Sequence, residues 1–235
     1  MARTDTLGNF LTDVADAIRE KKGTEEIIQA GDFDTEIANL PSGADISEYF
    51  KSTTNYSPLN QMPVYVDLIK KVPPFSVDNN VTLLASYFEY CSGLIDVGKI
   101  IFGNNITSLD NLFFRCSNLQ TIDTSGWDTS GVTKFTGVFY YCTSLTNLDL
   151  STITTESATD FRNMFKNCTN LTHIDIRNMT FKSDALYDGM FGNYNFEGVP
   201  NNCEIIVKSQ TEKEWITSKF SRLTNVKTVA EYEAE

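Results

Sequence analysis

Five cysteines and a single histidine are the residues here best suited to nucleophilic, redox or metal chemistry. Their spacing argues for packing instead. Cys91, Cys116, Cys142 and Cys168 follow one another at intervals of 25, 26 and 26 residues. Zinc sites draw on Cys-x-x-Cys pairs, and the sequence contains none. Stacked neighbouring positions seldom meet disulfide geometry, so the interval predicts a buried column of free thiols. Cys203 lies outside that column and is expected to be reduced as well. His173, flanked by Leu171, Ile174 and Ile176, is predicted on the solvent side of a strand with no nucleophile beside it. Asp123, Asp149 and Asp175 share one column, 26 residues apart. They lack the dense Asp-x-Asp loop of a calcium site, so an exposed polar ladder is expected. No phosphate loop, nucleophile elbow or paired-carboxylate motif occurs. The expectation is a non-enzymatic chain with no catalytic residue, metal or cofactor.

One set of positions points to recognition. Each column cysteine stands three residues after a phenylalanine: Phe88, Phe113, Phe139 and Phe165. The intervening pairs read Glu89-Tyr90, Phe114-Arg115, Tyr140-Tyr141 and Lys166-Asn167. If Phe and Cys point inward, the pairs point outward and stack. Tyr90, Phe114, Arg115, Tyr140 and Tyr141 then form an exposed aromatic–cationic stripe able to hold sugar faces or a protein partner. The competing reading is lateral packing of these side chains for stability, through cation–π contact.

The elements that must position this stripe come from a repeat. Leucines follow the cysteines at +3 (Leu94, Leu119, Leu145, Leu171), and an apolar column precedes each phenylalanine (Leu84, Leu109, Phe135, Phe161, Tyr187). Further columns read Val97, Ile122, Leu148, Ile174 and Ile101, Trp127, Ile153, Met179, Ile205; Tyr194 is placed where a fifth cysteine would fall. A period of 25–26 residues lies within the leucine-rich-repeat range. The predicted fold class is therefore an α/β repeat: a leucine-rich-repeat-like solenoid of roughly five coils. Strands are expected at residues 119–124, 145–150 and 171–176, and the Phe-x-x-Cys segment should be a helical or turn face.

The ends read differently. Leu7, Leu11, Val14 and Ile18 recur at helical spacing before Gly23, and Phe33 and Ile37 suggest a second short helix. The domains read as a helical assembly module (1–43), an N-terminal cap of the solenoid (44–80, with a helix expected from Val64 to Lys71), the solenoid (81–200) and a C-terminal cap (201–235). In that last part a strand precedes a helix begun by Ser209 and Glu212, with Trp215, Ile216, Phe220 and Leu223 on one side. The balance of 19 basic against 31 acidic side chains, a formal charge of −12, disfavours nucleic acid. No apolar run is long enough for a membrane span or a signal peptide.

The unit CSNLQTIDTSGWDTSGVTKF (residues 116–135), closed by VFYYC (residues 138–142), resembles the BspA-like leucine-rich repeats of bacterial surface proteins and of phages. It departs from them in the third coil, where Ile153-Thr154-Thr155-Glu156 replaces Trp-Asp-Thr-Ser. The run VADAIREKKGTEEIIQAGDFDTEI (residues 14–37) resembles a helical module found near the N-termini of bacteriophage tail, baseplate and fibre proteins. Together these resemblances imply a virion structural protein, with the N-terminal module holding other virion proteins and the solenoid displayed for host attachment. They imply a homo-oligomer, assembled in the bacterial cytoplasm, whose solenoid meets a bacterial surface glycan or protein. The alternative they imply is a bacterial cell-surface adhesin that binds a host protein or glycan.

Overall fold

The computed structural model describes residues 70–235, apart from 73, 78 and 193–197. The calls on Leu7, Leu11, Val14, Ile18, Phe33, Ile37 and Tyr194 lie outside the described residues, as does most of the helix expected from Val64 to Lys71. The chain winds into a β-solenoid of about six turns with few helices. Seven short strands form its main wall: β1 (Lys71–Val72), β3 (Asp96–Val97), β5 (Thr121–Ile122), β6 (Asn147–Asp149), β7 (His173–Asp175), β8 (Glu204–Val207) and β9 (Val226–Thr228). They pair in parallel as β1-β3-β5 and β6-β7-β8-β9. A second wall begins with β2 (Phe75–Ser76) and β4 (Ile100–Ile101). Parallel bridges linking Leu83, Ser108, Lys134, Asp160 and Leu186 run up a third side.

The Phe-x-x-Cys segment is neither helix nor strand, which corrects the α/β expectation for the coils. Its backbone N–H groups alternate between two destinations. In the second coil Leu109, Asn111, Phe113 and Arg115 donate to carbonyls of the next coil at 2.7–3.0 Å, while Leu112, Phe114 and Cys116 donate three residues back at 3.0–3.1 Å. Two residues per turn reach this geometry by adopting positive φ, such as Asn111 at 56° and Arg115 at 61°. An α-helix would send every N–H along its own axis and leave the neighbouring coil unbonded. The solenoid instead uses half its donors to join coils.

The core runs the length of the stack. Phe88, Phe113, Phe139, Phe165 and Phe191 are fully buried and lie ring on ring at 5.2–6.0 Å between centroids. Offset stacking at this distance adds about 0.5–1.5 kcal/mol per pair beyond the area buried. A second file joins Phe135, Phe161 and Tyr187 at 5.6 and 5.3 Å. All five cysteines are free and buried. The thiols of Cys116, Cys142 and Cys168 donate to the carbonyls of Phe88, Phe113 and Phe139 one coil earlier, at 3.0, 3.1 and 2.9 Å.

Two column assignments are corrected. Phe102, not Ile101, pairs with Trp127, because the first interval is one residue shorter than the rest; Ile101 is 48% exposed. Ile205 pairs with Ile174 in the main wall rather than continuing the Ile153–Met179 column. The turn from β7 to β8 is longer than those before it, with Glu204 falling 31 residues after its neighbour His173.

The C-terminal end is closed by α1 (Gln210–Lys219). Ser209 caps it, accepting from the Thr211 N–H at 3.3 Å and hydrogen-bonding the Glu212 carboxylate. Trp215 stacks on Phe181 at 4.7 Å and meets Tyr187 edge-on at 4.5 Å; Phe220 meets Phe191 at 5.1 Å. The second phenylalanine file thus ends under an indole. The chain then adds β9 to the main wall and a short helix, α2 (Val229–Tyr232), whose capping box joins Thr228 and Glu231. Neither β9 nor α2 was expected.

Candidate functional site

Of the positions predicted to point outward, Asn167 is buried; the others are exposed or half-buried, and the aromatic and cationic ones meet. Two short columns lie side by side on the turn wall, one of Glu89, Phe114, Tyr140 and Lys166, the other of Tyr90, Arg115, Tyr141 and Asn167. Phe114 meets Tyr90 at 5.3 Å and Tyr140 at 5.0 Å, both edge-to-face, and Tyr140 stacks beside Tyr141 at 5.5 Å. The Arg115 guanidinium lies over Tyr90, Phe114 and Tyr141 at 5.7, 5.6 and 5.1 Å from the ring centroids. Tyr90 and Tyr141 are 52% and 38% exposed; Arg115 is exposed, while Phe114 and Tyr140 are half-buried. All five predicted residues therefore belong to one patch. Lys166 completes it, its ammonium 5.3 Å above the Tyr140 ring. The pattern of pairs named that position without marking it as part of the stripe.

Backbone conformation separates this patch from ordinary surface. In the first positive-φ column stand Ser86, Asn111, Gly137, Asn163 and Gly189, mostly residues that tolerate the left-handed region. In the second stand Tyr90 (φ 64°), Arg115 (61°), Tyr141 (66°) and Asn167 (61°). Their N–H groups make the same kind of inter-coil bond, from Tyr90 to Phe114, Arg115 to Tyr140 and Tyr141 to Lys166, at 2.7, 2.7 and 2.9 Å. Large side chains cost about 1–2 kcal/mol each in this region. The bond needs only the backbone, so the side chains are held there for their own contacts.

The other candidates resolve into structure. Asp123, Asp149 and Asp175 each accept the N–H two residues on, from Ser125, Ser151 and Arg177, at 2.9, 2.8 and 3.1 Å. These are turn-forming contacts at the end of each strand. The hydrogen bonds of Ser125 hold the Asp123 carboxyl below its ordinary range. Asp175 departs from the exposed ladder, because it is buried beneath the bidentate guanidinium of Arg177 at 2.7–3.0 Å. His173 is half-buried rather than freely exposed, with Nδ1 2.8 Å from Glu204 and its ring beside Tyr232 at 5.7 Å. Lys227 on β9 bonds the same carboxylate at 2.8 Å and, with His173, holds Glu204 below its ordinary range. Burial pushes the thiols of Cys116, Cys142 and Cys168 well up and that of Cys203 to about 12. A thiol so raised is a poor nucleophile. Among the described residues no group of three or more His, Cys, Asp or Glu side chains could hold a metal ion. Nor is any described helix long and apolar enough to cross a membrane.

One concavity of about 530 Å³ lies between the last coil and α1, lined by Leu186, Tyr187, Lys219, Phe220 and Arg222 among others. Arg222 is engaged at its edge, donating to the carbonyls of Val199 and Phe191 and to Asn201.

Fold and site together define a β-solenoid that presents a rigid aromatic–cationic wall. A family model described as "Mycoplasma protein of unknown function, DUF285" matches residues 81–203, just over half of the chain, and the chain belongs to that family. The match agrees with the likeness to BspA-like repeats. No curated protein matches the chain.

Proposed function

We propose that this chain is a structural component of a bacteriophage virion, in the tail, baseplate or a fibre or decoration, and that its solenoid attaches the particle to the host surface. The observation that carries the attachment role is the stripe. Six side chains able to stack on sugars or bind a partner are aligned on a wall whose coils are joined by backbone bonds, so the surface needs little ordering on contact. The virion role rests on the resemblance of residues 14–37 to phage tail and baseplate modules. Such a module would gather several copies, and weak single contacts would combine through effective concentration.

The stripe is tested by replacing Tyr140 and Tyr141 with Ser and measuring retention of the chain on host bacterial cells. Unchanged retention ends the attachment reading. The virion role is tested by the protein inventory of purified particles, from which absence of this chain ends it. The second reading, a bacterial surface adhesin, rests on the resemblance of the repeat at residues 116–142 to BspA-like repeats of bacterial surface proteins. It predicts the chain on intact bacterial cells, shown by surface labelling with an antibody.

A further inference from the structure

We infer that the stripe takes an acidic polysaccharide, with a sugar carboxylate on Arg115 and the ring faces on the tyrosines. The inference rests on the reading of the stripe as the contact surface and adds the class of ligand. Its first support is charge. The overall charge of −12 opposes a polyanion, so the support is local: several other cations are paired, Arg162 with Asp160, Arg177 with Asp175, Lys213 with Glu231 and Lys227 with Glu204. Among the described residues no carboxylate forms an ion pair with Arg115 or Lys166. Both face rings instead. A guanidinium over an aromatic face keeps its edge donors free for a planar carboxylate, and bidentate pairing is the geometry it favours.

The second support is the contrast between the two left-handed columns. One backbone conformation is filled in one column by Asn, Gly and Ser, and in the other by Tyr, Arg and Tyr before it returns to Asn at Asn167. The backbone favours the first choice, so selection for the second acts on the exposed side chains. The third is the layout. Glu89 stands at one end of the stripe and repels anions there, whereas Arg115 and Lys166 flank Tyr140 and Tyr141. A chain of sugars with alternating charge and ring face matches that order. A neutral glycan uses the rings but leaves both cations without a partner.

The test uses the full chain against immobilised polygalacturonate, hyaluronate and polysialate, with methyl-esterified polygalacturonate and dextran as uncharged counterparts. We expect retention on at least one acidic polymer, weakened by salt and by esterification. Arg115→Gln should weaken it roughly tenfold, and Arg115→Lys should restore part of it. Tyr141→Asn should lose retention while melting within about 3 °C of the parent, because Asn tolerates the left-handed region. Retention no better on the acidic polymers than on the neutral ones overturns the inference, and so does an Arg115→Gln chain that binds as the parent does. A Tyr141→Asn chain that melts far below the parent also overturns it, since the column would then serve stability. Whole bacterial cells separate the two levels. If Arg115→Gln binds cells normally and the Tyr140→Ser/Tyr141→Ser chain does not, attachment stands and the acidic class falls. If both bind normally, attachment falls as well.

Discussion

At the scale of single residues, burial decides what each reactive group can do. The thiols of Cys116, Cys142 and Cys168 are fully buried and bonded to carbonyls of the preceding coil, so ionising them would place a charge in a medium that cannot solvate it. Native protein should therefore resist thiol reagents near the ordinary thiol pKa of about 8.5, and all five cysteines should react once denaturant unfolds it. The linkage has a definite sign. Folded-state values raised above the unfolded value mean that stability is complete below the ordinary thiol range and falls as pH rises above it. A urea midpoint measured from neutral to alkaline pH should decline there, and Cys142→Ala should flatten part of that decline while costing about 1 kcal/mol for the atom removed.

At the scale of elements, the closing strands and helix carry the next predictions. Glu204 links β7, β8 and β9 through His173 and Lys227, and its folded-state pKa is lowered chiefly by the Lys227 hydrogen bond. That contribution is present above the ordinary value of 4.5 and is lost as pH falls through the lower folded value. Glu204→Gln should therefore melt below the parent at neutral pH, and the two curves should converge on acidification. Trp215→Ala removes the indole that covers Phe181 and Tyr187. It should cost about 3 kcal/mol by denaturation and promote self-association detectable by light scattering. At the corner of a coil, a Cβ on Gly131 would lie 2.0 Å from the Asn104 carbonyl oxygen. Gly131→Ala should accordingly destabilise by about 2–4 kcal/mol, because backbone rather than a flexible side chain must yield.

At the scale of the whole molecule, each coil touches mainly its two neighbours, so stability is close to a sum of coil and interface contributions. The main wall changes sheets between β5 and β6. Across that step the coils are still joined by the Ser144 N–H to the Ser117 carbonyl at 3.1 Å and by the Thr124 hydroxyl to the Asp149 carbonyl at 2.9 Å. The phenylalanine file runs through it unbroken. Phe139→Ala, in the middle of that file, should cost about 3–5 kcal/mol. It should also broaden the denaturation curve into two steps, since the halves on either side lose their coupling.

Periodic residue types were enough to determine the solenoid, its buried cysteine and phenylalanine files, the strand positions near Ile122, Leu148 and Ile174, and the outward stripe from Tyr90 to Tyr141. Stacking at a fixed interval makes every repeated side chain meet its own equivalent, so one coil's pattern reports the neighbour's contacts. Only the tertiary structure decided what depends on backbone direction. It showed that the Phe-x-x-Cys turn alternates left-handed residues to bond the next coil, a choice that helical spacing of apolar residues cannot distinguish from a helix. It also showed Phe102 rather than Ile101 in register with Trp127, a place that the 25-residue interval from Cys91 to Cys116 already implies. It brought β9 beside β8 as well, since that partnership leaves no mark in the spacing. Inter-coil hydrogen bonds and charge neighbours form between segments some 25 residues apart, and they exist only once the coils are stacked.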